Sequence, residues 1–233
     1  SVTIPYKRAL VRLARDAGWG IDAAGAAIGA ANTLVIERGA GGEFAAARIM
    51  NTDGSGLLDA IVTHAVPVKG KVVGIIGGGG VARSAAWVLA AAGARVRISR
   101  RSFDAAATLA EELAATLPDN TGHIDAARPE ELAASDVMIN CTPVGMNGGP
   151  EPESNAAPAG VLEGLAATAV VVDTVYNPIR TPLLIAAEER GLTTIDGVEM
   201  FTRQAAAQFE AWTGHAAPLG LFDRVVRERL GAK

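Results

Sequence analysis

Apolar residues at helical spacing run through RALVRLARDA, residues 8–17, and predict a helix that stops near Gly18. Ahead of it, Ser1-Val2-Thr3-Ile4-Pro5 is strand-like. Residues 32–37 (NTLVIE) and 44–50 read as two strands, and Gly39, Gly41 and Gly42 between them supply the turn of a hairpin. Asn51-Thr52-Asp53-Gly54 follows as a loop, and residues 55–65 as a helix. The pattern changes after Pro67. Short apolar runs at 72–76, 95–98, 137–141, 170–173 and 193–195 predict strands. An alanine-rich helix to about residue 92 and helices over 104–116 and 181–190 alternate with them, while 147–160, rich in Gly, Pro and Asn, is a loop. Such alternation implies a parallel, doubly wound sheet of the Rossmann type. A helical tail covers 199–212 and 219–230. There is no internal repeat, and the alanines read as helix filling.

Composition narrows the function. The 233 residues are 49% hydrophobic and 20% charged, enough for one or two cores, with two domains favoured. A formal net charge of −4 lacks the basic stripe of a nucleic-acid binder. The apolar runs break well short of the roughly 18 residues of a membrane span, and nothing resembles a signal peptide, so a cytoplasmic protein is expected. Cys141 is the single cysteine, which precludes an internal disulfide and reads as an inert strand residue. His64, His123 and His215 lie far apart, without the spacing of metal ligands, so no metal site is expected.

Gly77-x-Gly79-x-x-Ala82, with Gly80 inside it, directly follows a predicted strand and opens a predicted helix, as in a dinucleotide-binding loop. A side chain at the second glycine would hold the backbone away from a pyrophosphate, which the amides of the helix N-terminus would otherwise bind. Glycine runs also serve as plain turns; the order strand, loop, helix favours the nucleotide. The end of the next strand selects the cofactor. Enzymes that use NAD usually place an acid there for the ribose hydroxyls. Here stand Ser99, Arg100 and Arg101, and two guanidiniums suit the 2′-phosphate of NADP.

Several segments together resemble shikimate dehydrogenases. They are Val2-Thr3-Ile4-Pro5-Tyr6-Lys7, Gly29-Ala30-Ala31-Asn32-Thr33, Asn51-Thr52-Asp53-Gly54, Gly77 to Ser84, Asn140 to Met146, Asp173-x-Val175-Tyr176-Asn177-Pro178, and Asp196 to Phe201 with Gln204. They occur in the family's order across essentially the whole chain. The resemblance implies a substrate domain of residues 1–53 and 198–233 and an NADP-binding Rossmann domain of 54–197, with the active site between them. It also implies that the substrate domain is incomplete. The family begins further upstream, with a Ser-x-Ser pair for the substrate carboxylate, and this chain opens without methionine inside a strand-like run. A second departure is Tyr6, where the family usually has His.

By resemblance, Lys7 and Asp53 are the catalytic pair at the ketone oxygen of 3-dehydroshikimate, or the hydroxyl of shikimate. Hydride transfer puts negative charge on that oxygen, so a proton donor is needed there. A carboxylate across the cleft favours the charged ammonium and aims it. The resemblance also implies that Thr3, Asn32, Thr52, Tyr176 and Gln204 contact substrate, and that Thr142, Gly197 and Met200 wall the nicotinamide. Without the resemblance, Lys7 is a solvated lysine, Asp53 a turn residue, Asn32 a hairpin start, Thr52 a loop cap, Gln204 part of a polar helix face and Met200 core filling. Three readings follow: an NADP-dependent shikimate dehydrogenase, a paralogue that takes quinate as well, or an NADP-binding protein without activity. The ending around Glu199-Met200-Phe201 resembles the form fused behind a dehydroquinate dehydratase; a homodimer and such a fused domain are the associations left open.

Overall fold

The computed structural model describes residues 1–3 and 5–231. Helix α1 (Lys7–Asp16) buries Leu10, Val11 and Ala14, the stripe that its spacing predicts. Strand β1 (Gly20–Ile21) and helix α2 (Ala23–Ile28) follow, the helix capped by Asp22 and ended at Gly29 in the left-handed region. The hairpin is β2 (Thr33–Arg38) and β3 (Phe44–Met50), antiparallel as expected. β1 joins β3 in parallel, giving a three-stranded sheet of order β1-β3-β2. Residues 1–3 are not strand, and Ile4, within the predicted run, lies outside the described residues. Helix α3 (Asp53–Thr63) begins two residues earlier than the pattern suggested, so Asp53 is helical rather than in a loop.

The second sheet is built from β4 (Val72–Ile76), β5 (Arg95–Ser99), β6 (His123–Ala126), β7 (Val137–Asn140), β8 (Val170–Asp173) and β9 (Thr193–Ile195). It is wholly parallel, in the order β6-β5-β4-β7-β8-β9. Numbered from β4, that is the 3-2-1-4-5-6 order of a Rossmann sheet, whose direction of winding reverses between β4 and β7. Helices α4 (Gly80–Ala91), α5 (Phe103–Ala114), α6 (Val161–Gly164) and α7 (Pro182–Glu189), with a 3₁₀ turn at Pro129–Ala134, make the crossovers. β7 and β8 are buried at every position, as strands covered on both faces must be.

The alanines of α4 have a geometric purpose. Ala82, Ala85, Ala86, Leu89 and Ala90 form one buried stripe in the main core. Ser84 and Val88, four apart, make a second stripe against α3. An added Cβ on Gly54 would lie 2.7 Å from both the carbonyl and the hydroxyl oxygen of Ser84. Helix α8 (Gly197–Thr213) crosses from β9 back to the small sheet, where the Trp212 indole N–H donates to the Leu34 carbonyl at 3.0 Å. On its way, Gly56 of α3 approaches Gln204 so closely that a Cβ there would sit 2.7 Å from the Gln204 nitrogen. Helix α9 (Leu219–Arg229) packs on α8, and Arg227 binds Asp196 at the start of α8 with both Nη1 (2.9 Å) and Nη2 (3.2 Å). Among the described residues no helix is long and apolar enough to cross a membrane.

Candidate active site

Five of the residues singled out in the sequence meet in one hydrogen-bonded cluster. Lys7, the first residue of α1, places its ammonium 2.5 Å from Asp53 Oδ2. The other carboxylate oxygen, Oδ1, accepts from Asn32 Nδ2 at 2.9 Å. That amide also reaches Thr52 Oγ1 at 3.0 Å and Gln204 Oε1 at 3.3 Å. Asn32 Oδ1 in turn accepts from the Thr52 N–H (3.0 Å), the Thr52 hydroxyl (3.2 Å) and the Thr33 hydroxyl (2.8 Å). The Thr52 hydroxyl caps no helix; it belongs to this cluster. Asn32 sits just before β2, and its role is likewise wider than starting a hairpin. Asp53 is only 5% exposed, and a buried carboxylate is tolerable only when paired and hydrogen-bonded, as this one is. Lys7 keeps 14% of its side chain exposed, so it opens the cluster to solvent. Thr3 is exposed, its carbonyl accepting from the Tyr6 N–H at 2.9 Å. The Tyr6 ring is 65% exposed, pointing outward from the position next to Lys7.

The nucleotide loop lies beside this cluster. Gly77 has φ +125°, a value that favours glycine, and a Cβ there would lie 2.9 Å from the Cys141 carbonyl oxygen. The loop after β4 is thereby packed on the loop after β7, at the place where the winding reverses. Gly79 is exposed, and a Cβ there would meet nothing within 4 Å: the space in front of it is open. Gly80 opens α4, and a Cβ on it would be 3.8 Å from Lys7 Cδ, so the catalytic candidate lies alongside the loop. Ala82 is fully buried and sets the helix against the sheet. Ser99 is buried at the end of β5. Arg100 lies across Gly78, where a Cβ would collide with its guanidinium, and its Nη1 donates to the Ala105 carbonyl at 2.7 Å. Arg101 is exposed. No acid ends β5, the space in front of Gly79 is open, Arg100 lies against the loop and Arg101 follows it exposed; these residues fit a dinucleotide with a 2′-phosphate.

The far wall is organised by a buried carboxylate. Asn140 Oδ1, at the end of β7, accepts from the Thr142 N–H (2.9 Å) and hydroxyl (2.6 Å). Asn140 Nδ2 donates to Asp173 Oδ1 at 2.9 Å, which also takes the Val175 N–H at 3.0 Å. Asp173 Oδ2 accepts from the Thr181 hydroxyl at 2.7 Å. Gly197 passes so close to the next turn that a Cβ would lie 2.8 Å from the Tyr176 nitrogen. Tyr176 stacks on Phe201 with ring centroids 4.6 Å apart. Met200 is buried in the main core. Burial pushes the Cys141 thiol up, with smaller contributions from the charges of Asp173 and Asp53, which agrees with an inert thiol.

Burial pushes the Asp173 carboxyl up to about 6, while its hydrogen bonds from Val175, Thr181 and Asn140 pull the other way. A carboxyl that titrates higher when folded takes up a proton on folding between the unfolded and folded values. Its contribution to stability is therefore greatest at acid pH, falls as pH rises from about 4 to about 6, and is level above that. Asp173→Asn should remove this component, at most about 3 kcal/mol. Urea unfolding of both proteins at pH 4.5 and 7.5 measures it. The Asp22 carboxyl, also raised by burial, titrates in both proteins and cancels in the comparison.

Sequence reasoning left some residues of the site without a role. Asn51, quoted only as part of a motif, binds the Asp53 N–H through Oδ1 (3.0 Å) and the Ala30 carbonyl through Nδ2 (2.9 Å). Ser84 donates to the same Oδ1 at 2.7 Å. An asparagine two residues ahead of an aspartate at a helix start is a local signal that could have been read. Ser84, one polar residue in an alanine-rich helix, gave none. Neither did Phe201, whose contact is with a residue 25 positions away in the chain.

A family described as the shikimate 5'-dehydrogenase C-terminal domain matches residues 197–227, and one described as NADP oxidoreductase, coenzyme F420-dependent, matches residues 72–175. A shikimate dehydrogenase (NADP(+)) of Methanocella arvoryzae is 35% identical over 236 residues, covering 99% of this chain and 78% of the relative. A solved shikimate dehydrogenase in complex with NADP+ superposes with a TM-score of 0.84 at 31% identity, over 98% of this chain and 75% of that one. A quinate dehydrogenase from Corynebacterium glutamicum in complex with NAD has a TM-score of 0.81 at 28% identity, over 97% and 76%.

Proposed function

The chain belongs to the shikimate dehydrogenase family, and on that footing we propose that it reduces 3-dehydroshikimate reversibly to shikimate with NADPH. The observation that carries the proposal is the part-buried Lys7–Asp53 pair at 2.5 Å beside the nucleotide loop. A protein that only bound NADP would need neither residue, and an ammonium held on a buried carboxylate costs desolvation that such a protein has no reason to bear. In this reading residues 1–53 with 198–233 hold the substrate, and 54–197 hold the cofactor.

NADPH, when bound, supplies the hydride; Gly77, Gly79, Gly80 and Ala82 would receive its pyrophosphate, Ser99, Arg100 and Arg101 its 2′-phosphate, and Thr142, Gly197 and Met200 its nicotinamide. The chain's own task is the oxygen of the reacting ketone. As negative charge develops there, the Lys7 ammonium stabilises it and delivers a proton. Asp53 holds that ammonium in place through Oδ2, and Asn32 holds Asp53 through Oδ1. Asn32, Thr52 and Gln204 present amide and hydroxyl groups on one side of Asp53, the chemistry for ring hydroxyls. Tyr176, fixed by Phe201, closes the cofactor side, and Thr3 borders the substrate side.

The test is a steady-state assay following nicotinamide absorbance. Shikimate with NADP+, and 3-dehydroshikimate with NADPH, should turn over; quinate and NAD+ should be much poorer. Preference for quinate or NAD+ would move the chain to the paralogous reading. No turnover with any pair, with NADP binding intact, would leave a binding protein.

A further inference from the structure

We propose that Ser84, acting through Asn51, is a positioning residue for Asp53, and that it ties the helix at the nucleotide loop to the carboxylate that holds Lys7. The inference rests on the proposed reaction for its catalytic meaning, though not for its geometry.

Asn51 Oδ1 is shared. It accepts the Asp53 N–H at 3.0 Å and the Ser84 hydroxyl at 2.7 Å. The rest of Asn51 is held on both sides: Nδ2 donates to the Ala30 carbonyl at 2.9 Å, and its N–H reaches Asp22 Oδ2 at 3.2 Å. Asn51, Asp53 and Ser84 are all buried, so water does not compete for these bonds. Because the amide is planar, its anchor on the Ala30 carbonyl turns Oδ1 toward Asp53, and the Ser84 hydroxyl holds that oxygen from a second side.

The serine is not placed by default. A helical serine commonly returns its hydroxyl to the carbonyl four residues back. This one donates across to another segment, at a point where α3 and α4 are in contact through Gly54. A Cβ on Gly54 would lie 2.7 Å from Ser84 Oγ, so the residue after Asp53 must be bare for the hydroxyl to arrive. Ser84 also stands four residues beyond Gly80, one turn into the helix whose N-terminus would receive the cofactor's pyrophosphate. The path from that terminus to the catalytic carboxylate is thus two hydrogen bonds: Ser84 to Asn51, and Asn51 to the Asp53 amide.

Ser84→Ala removes one neutral hydrogen bond and adds no bulk. Loss of that bond should lower kcat about three- to tenfold, with KM for NADPH and the Kd of NADP+ unchanged. Amide exchange followed by NMR reads the relay without any substrate: protection of the Asp53 amide should fall by a similar factor, while amides at the far end of α3 keep theirs. In an Asp53→Asn background, Ser84→Ala should have no further effect on kcat, because the group it positions is gone. An equal loss in both backgrounds would make Ser84 a packing residue and overturn the proposal. So would an unchanged kcat in the single variant, or an unchanged Asp53 amide. If the unaltered protein turns over no ketone, the proposed reaction fails by itself, and the amide measurement still decides whether the relay exists.

Discussion

Lys7→Ala should lower kcat by about 10²–10⁴-fold, the usual contribution of a positioned general acid, and leave the Kd of NADPH within about twofold. The two halves of the expectation have separate origins. The ammonium works on the substrate oxygen, whereas Lys7 meets the nucleotide loop only through its aliphatic stem, near Gly80. Removal also strips a buried carboxylate of its counter-charge, which costs stability. Asp53→Asn in the same chain separates the effects: Lys7→Ala with Asp53→Asn should regain stability and no activity. Stopped-flow hydride transfer, NADPH titration and thermal unfolding of the three variants suffice. A Lys7→Ala enzyme with normal kcat would remove the lysine from the mechanism, and Asp53 would then have to act alone.

Replacing Arg100 and Arg101 together with Ala should weaken NADPH binding far more than NADH binding. Each lost charge-assisted bond to the phosphate should cost about 1.5–3 kcal/mol, so two give a shift in preference of at least about a hundredfold. The arginines are not equivalent in the structure. Arg100 is already fastened, across Gly78 and to the Ala105 carbonyl, so it would meet the phosphate as a preset group. Arg101 is exposed and free to close on it. The single variants should therefore differ, with Arg100→Ala the more severe. Equal loss of both cofactors would mean that the pair does not read the phosphate.

What could be read from the sequence depended on how each element is stabilised. Strands at the centre of a parallel sheet are apolar on both faces, and Val137 to Asn140 and Val170 to Asp173 announced themselves. His123–Ala126 is an edge strand with alternating exposure, and so short and polar a run has no such signature. Gly20–Ile21 and Ala23–Ile28 were missed for another reason: a two-residue strand and a helix of small residues are held by neighbours, here β3 and the Asp22 cap, more than by any pattern of their own. In the site, the identities of Lys7, Asp53, Asn32, Thr52 and Gln204 were legible through resemblance. Their bonds were not. Asn32 and Gln204 are 172 residues apart, and the spacing of a chain carries no information about a contact made at that distance.

The hairpin strand β2 bears on how such a chain is made. The carbonyls of Asn32, just before it, and of Leu34 within it are met by Gln208 (3.5 Å) and Trp212 (3.0 Å), which lie 176 and 178 residues later. At ribosomal speeds of about 5–20 residues per second, these partners emerge roughly 10–35 s after the strand does. For that interval the Leu34 carbonyl lacks its partner on α8 and Ile36 stands half exposed on the strand, whereas the Asn32 carbonyl is already met by the Val2 N–H at 2.7 Å. The six-stranded unit, complete by Ile195, can form in the meantime, so α8 would arrive after it, as a closing strap, with only α9 still to come. Yield from the ribosome should then depend on how quickly the final turns of α8 are delivered, and slow codons between residues 196 and 212 should increase aggregation without altering the finished protein.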